Sequence, residues 1–145
     1  MNLHLLTDDK FADGAIAQFE KYYTGQNIFI VNKKSRNFRY ITNQNVQSFD
    51  FENYKDVKKI VKLCKQKGVK NVLIHFLNYF TAGVANLIRN DNKTVILHWI
   101  FFGGDLYSIL SNEFGYQQID QVVKGKPSAG KLTMKDHWNK SYLKI

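Results

Sequence analysis

Three places in the sequence set side chains that can accept or release a proton beside a run of apolar residues. Asp8 and Asp9 follow the run 2–6 (NLHLL), His75 stands near the end of 71–76 (NVLIHF), and Gly103-Gly104-Asp105 closes 94–102 (TVILHWIFF). Carboxylates and imidazoles serve as general bases near neutral pH, and a glycine pair lets main chain approach a ligand where a Cβ would intrude. Each feature also has a plainer use. Paired aspartates cap helices, a histidine in an apolar run packs as a satisfied core group, and Gly-Gly-Asp makes a tight turn with a helix cap behind it. By themselves these residues name no reaction.

Several chemistries lack their residues. The stretch 125–131 (GKPSAGK) has neither the spacing of a phosphate-binding loop nor a convincing strand before it, and it contains a proline. No GxGxxG follows the first apolar run, so a dinucleotide has no cradle there, and GxSxG is absent. The four histidines (His4, His75, His98, His137) form no HExxH or i,i+4 pair, so no metal is expected. The single cysteine, Cys64, makes neither an internal disulfide nor a CxxC site, which points to a reducing, cytoplasmic setting. A response-regulator receiver needs an aspartate ending its third strand, where this chain offers His75 and Asn78. No cofactor is expected.

Periodicity supplies the elements that must position these groups. The runs 2–6, 27–32 (NIFIVN), 71–76 and 94–102 lack polar alternation, as strands covered on both faces do. A short edge strand is expected at 37–42. Ile16, Phe19 and Tyr22 or Tyr23 share a helical face ahead of Gly25, with Asp8, Asp9 and Asp13 all competent as the N-cap. Further on, Tyr54, Val57, Ile60, Val61 and Cys64 share one helical face, while Lys55, Lys58, Lys59, Lys62 and Lys65 share the opposite one. Helices are also expected at 82–89 and 108–114. Apolar strands alternating with helices give a single α/β domain, Rossmann-like, with a mainly parallel sheet and helices on both faces. That domain is expected over 1–124, with a basic tail or linker over 125–145. Ligands of such sheets bind outside the carboxyl ends of the strands, where all three candidate groups fall.

Composition bounds the rest. A chain of 145 residues, 44% hydrophobic and 23% charged, suffices for one core and excludes disordered and fibrous classes. The start MNLHLLTDDK has acidic residues too early for a signal peptide, and the longest apolar run falls far short of the ~20 residues that span a bilayer. The net charge of +9 is concentrated: 55–70 holds seven lysines against one aspartate, and 116–145 six basic residues against two acidic. With three arginines in the whole chain, nucleic acid is not the favoured partner.

Three segments, HLLTDDKFADGAI (4–16), VLIHFLNYFTAGVANLI (72–88) and WIFFGGDLY (99–107), in this order and spacing resemble the N-terminal half of TDP-N-acetylfucosamine:lipid II N-acetylfucosaminyltransferases. The most specific piece is the aromatic strand followed by Gly103, Gly104, Asp105, Leu106 and Tyr107; Phe102 departs from it, standing where the family has Trp. The resemblance covers roughly 1–114.

What the resemblance implies is the acceptor-side domain of a GT-B type glycosyltransferase, with the donor-binding domain absent from this chain and the isolated chain inactive. The nucleotide sugar would be held by that missing domain, and the acceptor would be a polyprenyl-diphosphate-linked glycan. Localisation would be peripheral, on the inner face of the cytoplasmic membrane, with Lys55, Lys58, Lys59, Lys62 and Lys65 towards anionic headgroups. An aspartate of the first loop, Asp8 or Asp9, is the best candidate for general base, and His75 is the runner-up. Gly103 and Gly104 would let main chain approach the sugar, with Asp105 and Tyr107 in the same substrate-binding motif and Asp105 more simply a helix cap. Two other classes stay open: a stand-alone module binding a nucleotide or phosphorylated ligand, and a basic adaptor associated with membrane or RNA.

Overall fold

In the computed structural model, which describes residues 1–34 and 37–101, the elements run β1 (Asn2–Leu6), α1 (Ala12–Tyr22), β2 (Asn27–Asn32), β3 (Val46–Phe49), α2 (Tyr54–Gln66), β4 (Asn71–Ile74), α3 (Tyr79–Asp91) and β5 (Ile96–Trp99). All strand pairs are parallel and the order is β3-β2-β1-β4-β5. β1 is bonded on both edges, Leu5 standing opposite Ile30 on one side and Ile74 on the other. The expected Rossmann-like α/β domain, with a parallel sheet and helices on both faces, is what the chain forms.

The period-2 alternation of β1 divides two cores. Leu3 and Leu5 join Ile28, Ile30, Val72 and Ile74 beneath Val57, Ile60 and Cys64 of α2 and Val84, Ala85 and Ile88 of α3. Leu6 joins Phe29 and Val31 beneath Ala12 and Ile16 of α1. His4, of the same parity as Leu6, lies on this second face and is fully buried.

Four expectations need correction. Residues 37–42 are not a strand; among the described residues the edge strand is β3, and 33–34 and 37–45, which lead to it, hold no helix. A parallel pair needs a connection of about a dozen residues or more, usually helical. Here carboxylates replace helical hydrogen bonding. Asp8 accepts from the amides of Arg39, Tyr40 and Ile41 at 2.7, 3.0 and 3.4 Å, and Asp13 from those of Thr42 and Asn43 at 2.9 and 3.3 Å. Five successive main-chain donors are thereby satisfied, and Ile41 is free to enter the α1 core. Second, α1 has no side-chain cap: its N-cap is Phe11, Asp8 and Asp13 bond the segment 39–43, and Asp9 accepts from the amide of Phe11 itself. Third, α3 begins three residues before the expected 82. Asn78 accepts from the amides of Phe80 and Thr81 while the Thr81 hydroxyl accepts from the Asn78 amide, a reciprocal cap. Asn78→Ala should therefore cost about 1 kcal/mol in urea unfolding and fray the first turn in amide exchange; unchanged protection at 80–82 would contradict this. Fourth, the run 94–102 yields only a four-residue strand, which ends the sheet among the described residues, with Ile96 and Trp99 exposed.

Gly68, at φ +60°, ends the α2 region in a left-handed conformation that a β-carbon would strain. Gly103, Gly104, Asp105, Tyr107, the helix at 108–114 and the tail from 125 lie outside the described residues.

Candidate functional site

From β1, the chain moves through β2 to β3 on one side; from β4 it continues to β5 on the other. The carboxyl ends of β1 and β4 therefore flank the topological switch point, where open α/β sheets hold their ligands. The loop 7–11 rises from β1 and the loop 75–78 from β4, joined at their base by the His75 amide donating to the Leu5 carbonyl at 3.0 Å.

Asp8, Asp9 and His75 thus reach one edge of the sheet, but among the described residues no hydrogen bond joins His75 to either aspartate. Asp8 turns towards β2: besides the three loop amides it accepts from Lys33 Nζ at 2.5 Å, so each of its oxygens has two donors. Burial alone would raise its pKa, but Lys33 and the amides of Arg39 and Tyr40 outweigh that and hold it at about 2. Asp9 is less committed. Its Oδ2 accepts from the Thr7 hydroxyl and its Oδ1 from the Phe11 amide, both at 2.8 Å, so each oxygen keeps a lone pair for another donor.

His75 turns back along the sheet. Its Nε2 lies 2.9 Å from Nδ1 of His4, and His4 Nε2 lies 3.2 Å from Oδ1 of Asn27. Phe19 and Phe29 rings close over His4 at centroid distances of 4.4 and 4.6 Å. Burial pushes the His4 pKa down to about 4, against weaker opposing effects of the Asn27 bond and Glu20; burial first, then the proximity of His4, takes His75 to about 3. Both rings are neutral at physiological pH. His4 and Asn27 are functional candidates that the motif search passed over, although the strand alternation that puts Asn2 and His4 on one face is present in the sequence.

A second surface lies on the opposite side. The five lysines Lys55, Lys58, Lys59, Lys62 and Lys65 are all exposed and fall within an arc of about 120° on α2. Lys59 pairs with Asp56 at 2.8 Å, and Lys58 sits over the Tyr54 ring at 4.6 Å. Between α2 and α3 runs a trough of about 590 Å³ floored by Val57, Val61 and Leu87 and rimmed by Lys58, Lys62 and Lys65. Tyr54 and Leu87 are 63% and 43% exposed, apolar surface set directly beside the cations.

Burial drives the Cys64 thiol up to about 12, which removes it as a nucleophile. Among the described residues no three His, Cys, Asp or Glu side chains could hold a metal ion, and no helix is long and apolar enough to cross a membrane.

No protein-family model, curated protein or solved structure matches this chain.

Proposed function

We propose that this chain supplies the acceptor-side domain of a glycosyltransferase that moves a deoxyamino sugar from a nucleotide donor to a lipid-linked glycan, with the donor held by a second domain. The observation that carries the reading is the switch point of the sheet, flanked by two of the segments with the sequence resemblance, the loop of Asp8 and Asp9 and the loop beginning at His75. Asp9 is the better base of the two aspartates. An inverting displacement needs a carboxylate with a free lone pair within ~3 Å of the attacking hydroxyl, and Asp9 has one on each oxygen whereas Asp8 is saturated. Asp8 holds the crossover, and the loop that begins at His75 stands on the other side of the switch point.

The basic trough supports peripheral membrane attachment, the inner face of the cytoplasmic membrane being the site of the reaction. Each lysine near an anionic leaflet contributes about 1 kcal/mol, and Tyr54 is a residue type favoured at the interface.

The test is a titration of the 145-residue chain with a polyprenyl-diphosphate-linked glycan in detergent, run beside a panel of sugar nucleotides and free nucleotides. Saturable acceptor binding that Asp9→Asn weakens, with no donor-dependent transfer, is the expected result. Tight nucleotide binding without acceptor binding would replace this reading by that of a stand-alone phospholigand module.

A further inference from the structure

A cavity of about 340 Å³ opens on the segment that leads into β3, and none of the residues that line it belongs to the switch-point loops or to the lysine trough. Ile41 and Val46, both buried in the α1 core, floor it, and the half-buried Phe38 packs on the same core. Asn37, Thr42 and Gln44, all exposed, and the half-buried Asn43 supply the polar lining. Among the described residues no charged side chain lines it. Its size falls at the lower end of small-ligand sites, about 300–1,000 Å³, with room for a group of one-ring size.

The hydrogen-bonding groups of this lining select a ligand by chemistry. Among the described residues the side-chain amides of Asn37 and Gln44 and Nδ2 of Asn43 meet no hydrogen-bond partner. Asn43 Oδ1 accepts from the Asn45 amide at 2.8 Å and keeps one lone pair, and the Thr42 hydroxyl donates to Asp13 Oδ2 at 2.5 Å and is left as an acceptor. Donors and acceptors are therefore both on offer, without charge. A phosphate or carboxylate only accepts; it would leave the acceptor oxygens unpaired and find no cation. A β-strand of another chain needs main-chain partners, and the amides of 39–43 are committed to Asp8 and Asp13. A planar base needs an aromatic face, and Phe38 is half-buried with Lys33 Nζ over its ring at 5.7 Å. Sugar hydroxyls donate and accept at once, and a primary amide sets a donor beside an acceptor to meet two of them, while ring C–H groups settle on Phe38, Ile41 and Val46.

We infer that this cavity binds an uncharged sugar. Asp8 and Asp13 hold the main chain of 39–43 in place before the ligand arrives, which lowers the entropy that binding must overcome. The inference goes beyond the reading of the switch point and stands if that reading fails. A free saccharide and a sugar unit of the lipid-linked glycan share this chemistry, and the arms of the experiment tell them apart.

The ¹⁵N-labelled chain is titrated with N-acetylglucosamine, galactose, mannose and myo-inositol, with inorganic phosphate, and with the polyprenyl-diphosphate-linked glycan in detergent, while main-chain and side-chain amide signals are followed. Saturable shifts confined to 37–46 are expected with at least one of the uncharged ligands or with the glycan, at a dissociation constant on the order of 1 mM for a single sugar ring. Phosphate should leave these signals in place. Asn37→Ala/Gln44→Ala removes two exposed side chains that bond nothing in the fold and should weaken binding about tenfold or more. Asp13→Asn, outside the lining, should weaken it through the loosened loop. Shifts at 37–46 from a free saccharide alone identify that source and leave the glycosyltransferase reading without support; shifts there from the glycan alone make the bound sugar one of its units. A glycan that shifts only the loops 7–11 and 75–78, with no free saccharide acting at 37–46, keeps the glycosyltransferase reading and overturns the sugar site. The site is equally overturned if phosphate reproduces the shifts, if nothing moves these signals, or if the Asn37→Ala/Gln44→Ala variant binds as tightly as the parent.

Discussion

Unfolding free energy should fall by on the order of 5 kcal/mol between pH 6.5 and pH 4.5, before most carboxylates begin to titrate. The cause is the buried imidazole pair. In the unfolded chain both histidines titrate near 6.5, whereas in the fold His4 does so at about 4 and His75 at about 3. Above pH 6.5 both states hold neutral rings and nothing is lost. Below it the unfolded chain takes up protons that the folded chain refuses, and each refused proton costs about 1.4 kcal/mol per pH unit until the folded groups themselves titrate. A loss of that size is comparable to the whole stability of many small domains, so acid unfolding should be complete near pH 4. Urea titrations at pH 7.5, 6.0 and 5.0, repeated on a His4→Gln/His75→Gln double variant, measure the effect. The parent midpoint should slide with pH while that of the double variant stays nearly level; a level parent curve would show that the pair is accessible to protons in the fold.

Asp8→Asn should be the most harmful near-isosteric change in the first loop, at about 3 kcal/mol against about 1 kcal/mol for Asp13→Asn. An amide at position 8 retains one oxygen for two of the four donors and turns an NH2 group towards the other two. It also removes the anion from Lys33, whose side chain is 30% exposed. Asp13 holds fewer main-chain donors and no cation. The folded pKa of Asp8 lies below the ordinary carboxylate value, so its contribution is complete above pH 3.8 and disappears as pH falls towards 2, a second and separate acid transition. Amide exchange should report the damage locally, through lost protection at 39–41 in Asp8→Asn and at 42–43 in Asp13→Asn. Equal stability of the two variants would mean that the crossover is held by Phe38 and Ile41 packing instead.

The strands and α2 were legible because their signals are collective: unbroken apolar runs, and a helix whose apolar and lysine faces are cleanly opposed. The crossover was not. Residues 37–42 look extended and polar, and what shapes them lies about thirty positions earlier, on Asp8 and Asp13, where a local reading sees only helix caps. The start of α3 was misplaced because NYFT was read for hydrophobicity, when its Asn and Thr are the two halves of a cap. For the candidate site, the motif reading named the strand ends Asp8, Asp9 and His75 and passed over His4, Asn2, Asn27 and Asn71, which hydrogen-bond in a line beside them. Three of these open apolar strands, a position where asparagine usually needs no explanation; their meaning lies in cross-strand register, which a single sequence does not display. The segment 103–107 contributes through its resemblance to a glycosyltransferase family alone.

The placement of β1 has a consequence for biosynthesis. It is made before the other described strands and is the middle strand of their sheet, with β2 available about twenty residues later but β4 only at 71–74. At ~5–20 residues per second, the edge of β1 that awaits β4 stays open for several seconds, with Leu3 and Leu5 beside it. During that interval it can template a strand from a neighbouring nascent chain as readily as its own. Yield in a heterologous host should therefore respond to translation speed and to chaperone supply during the first half of the chain, well before any property of the finished fold comes into play.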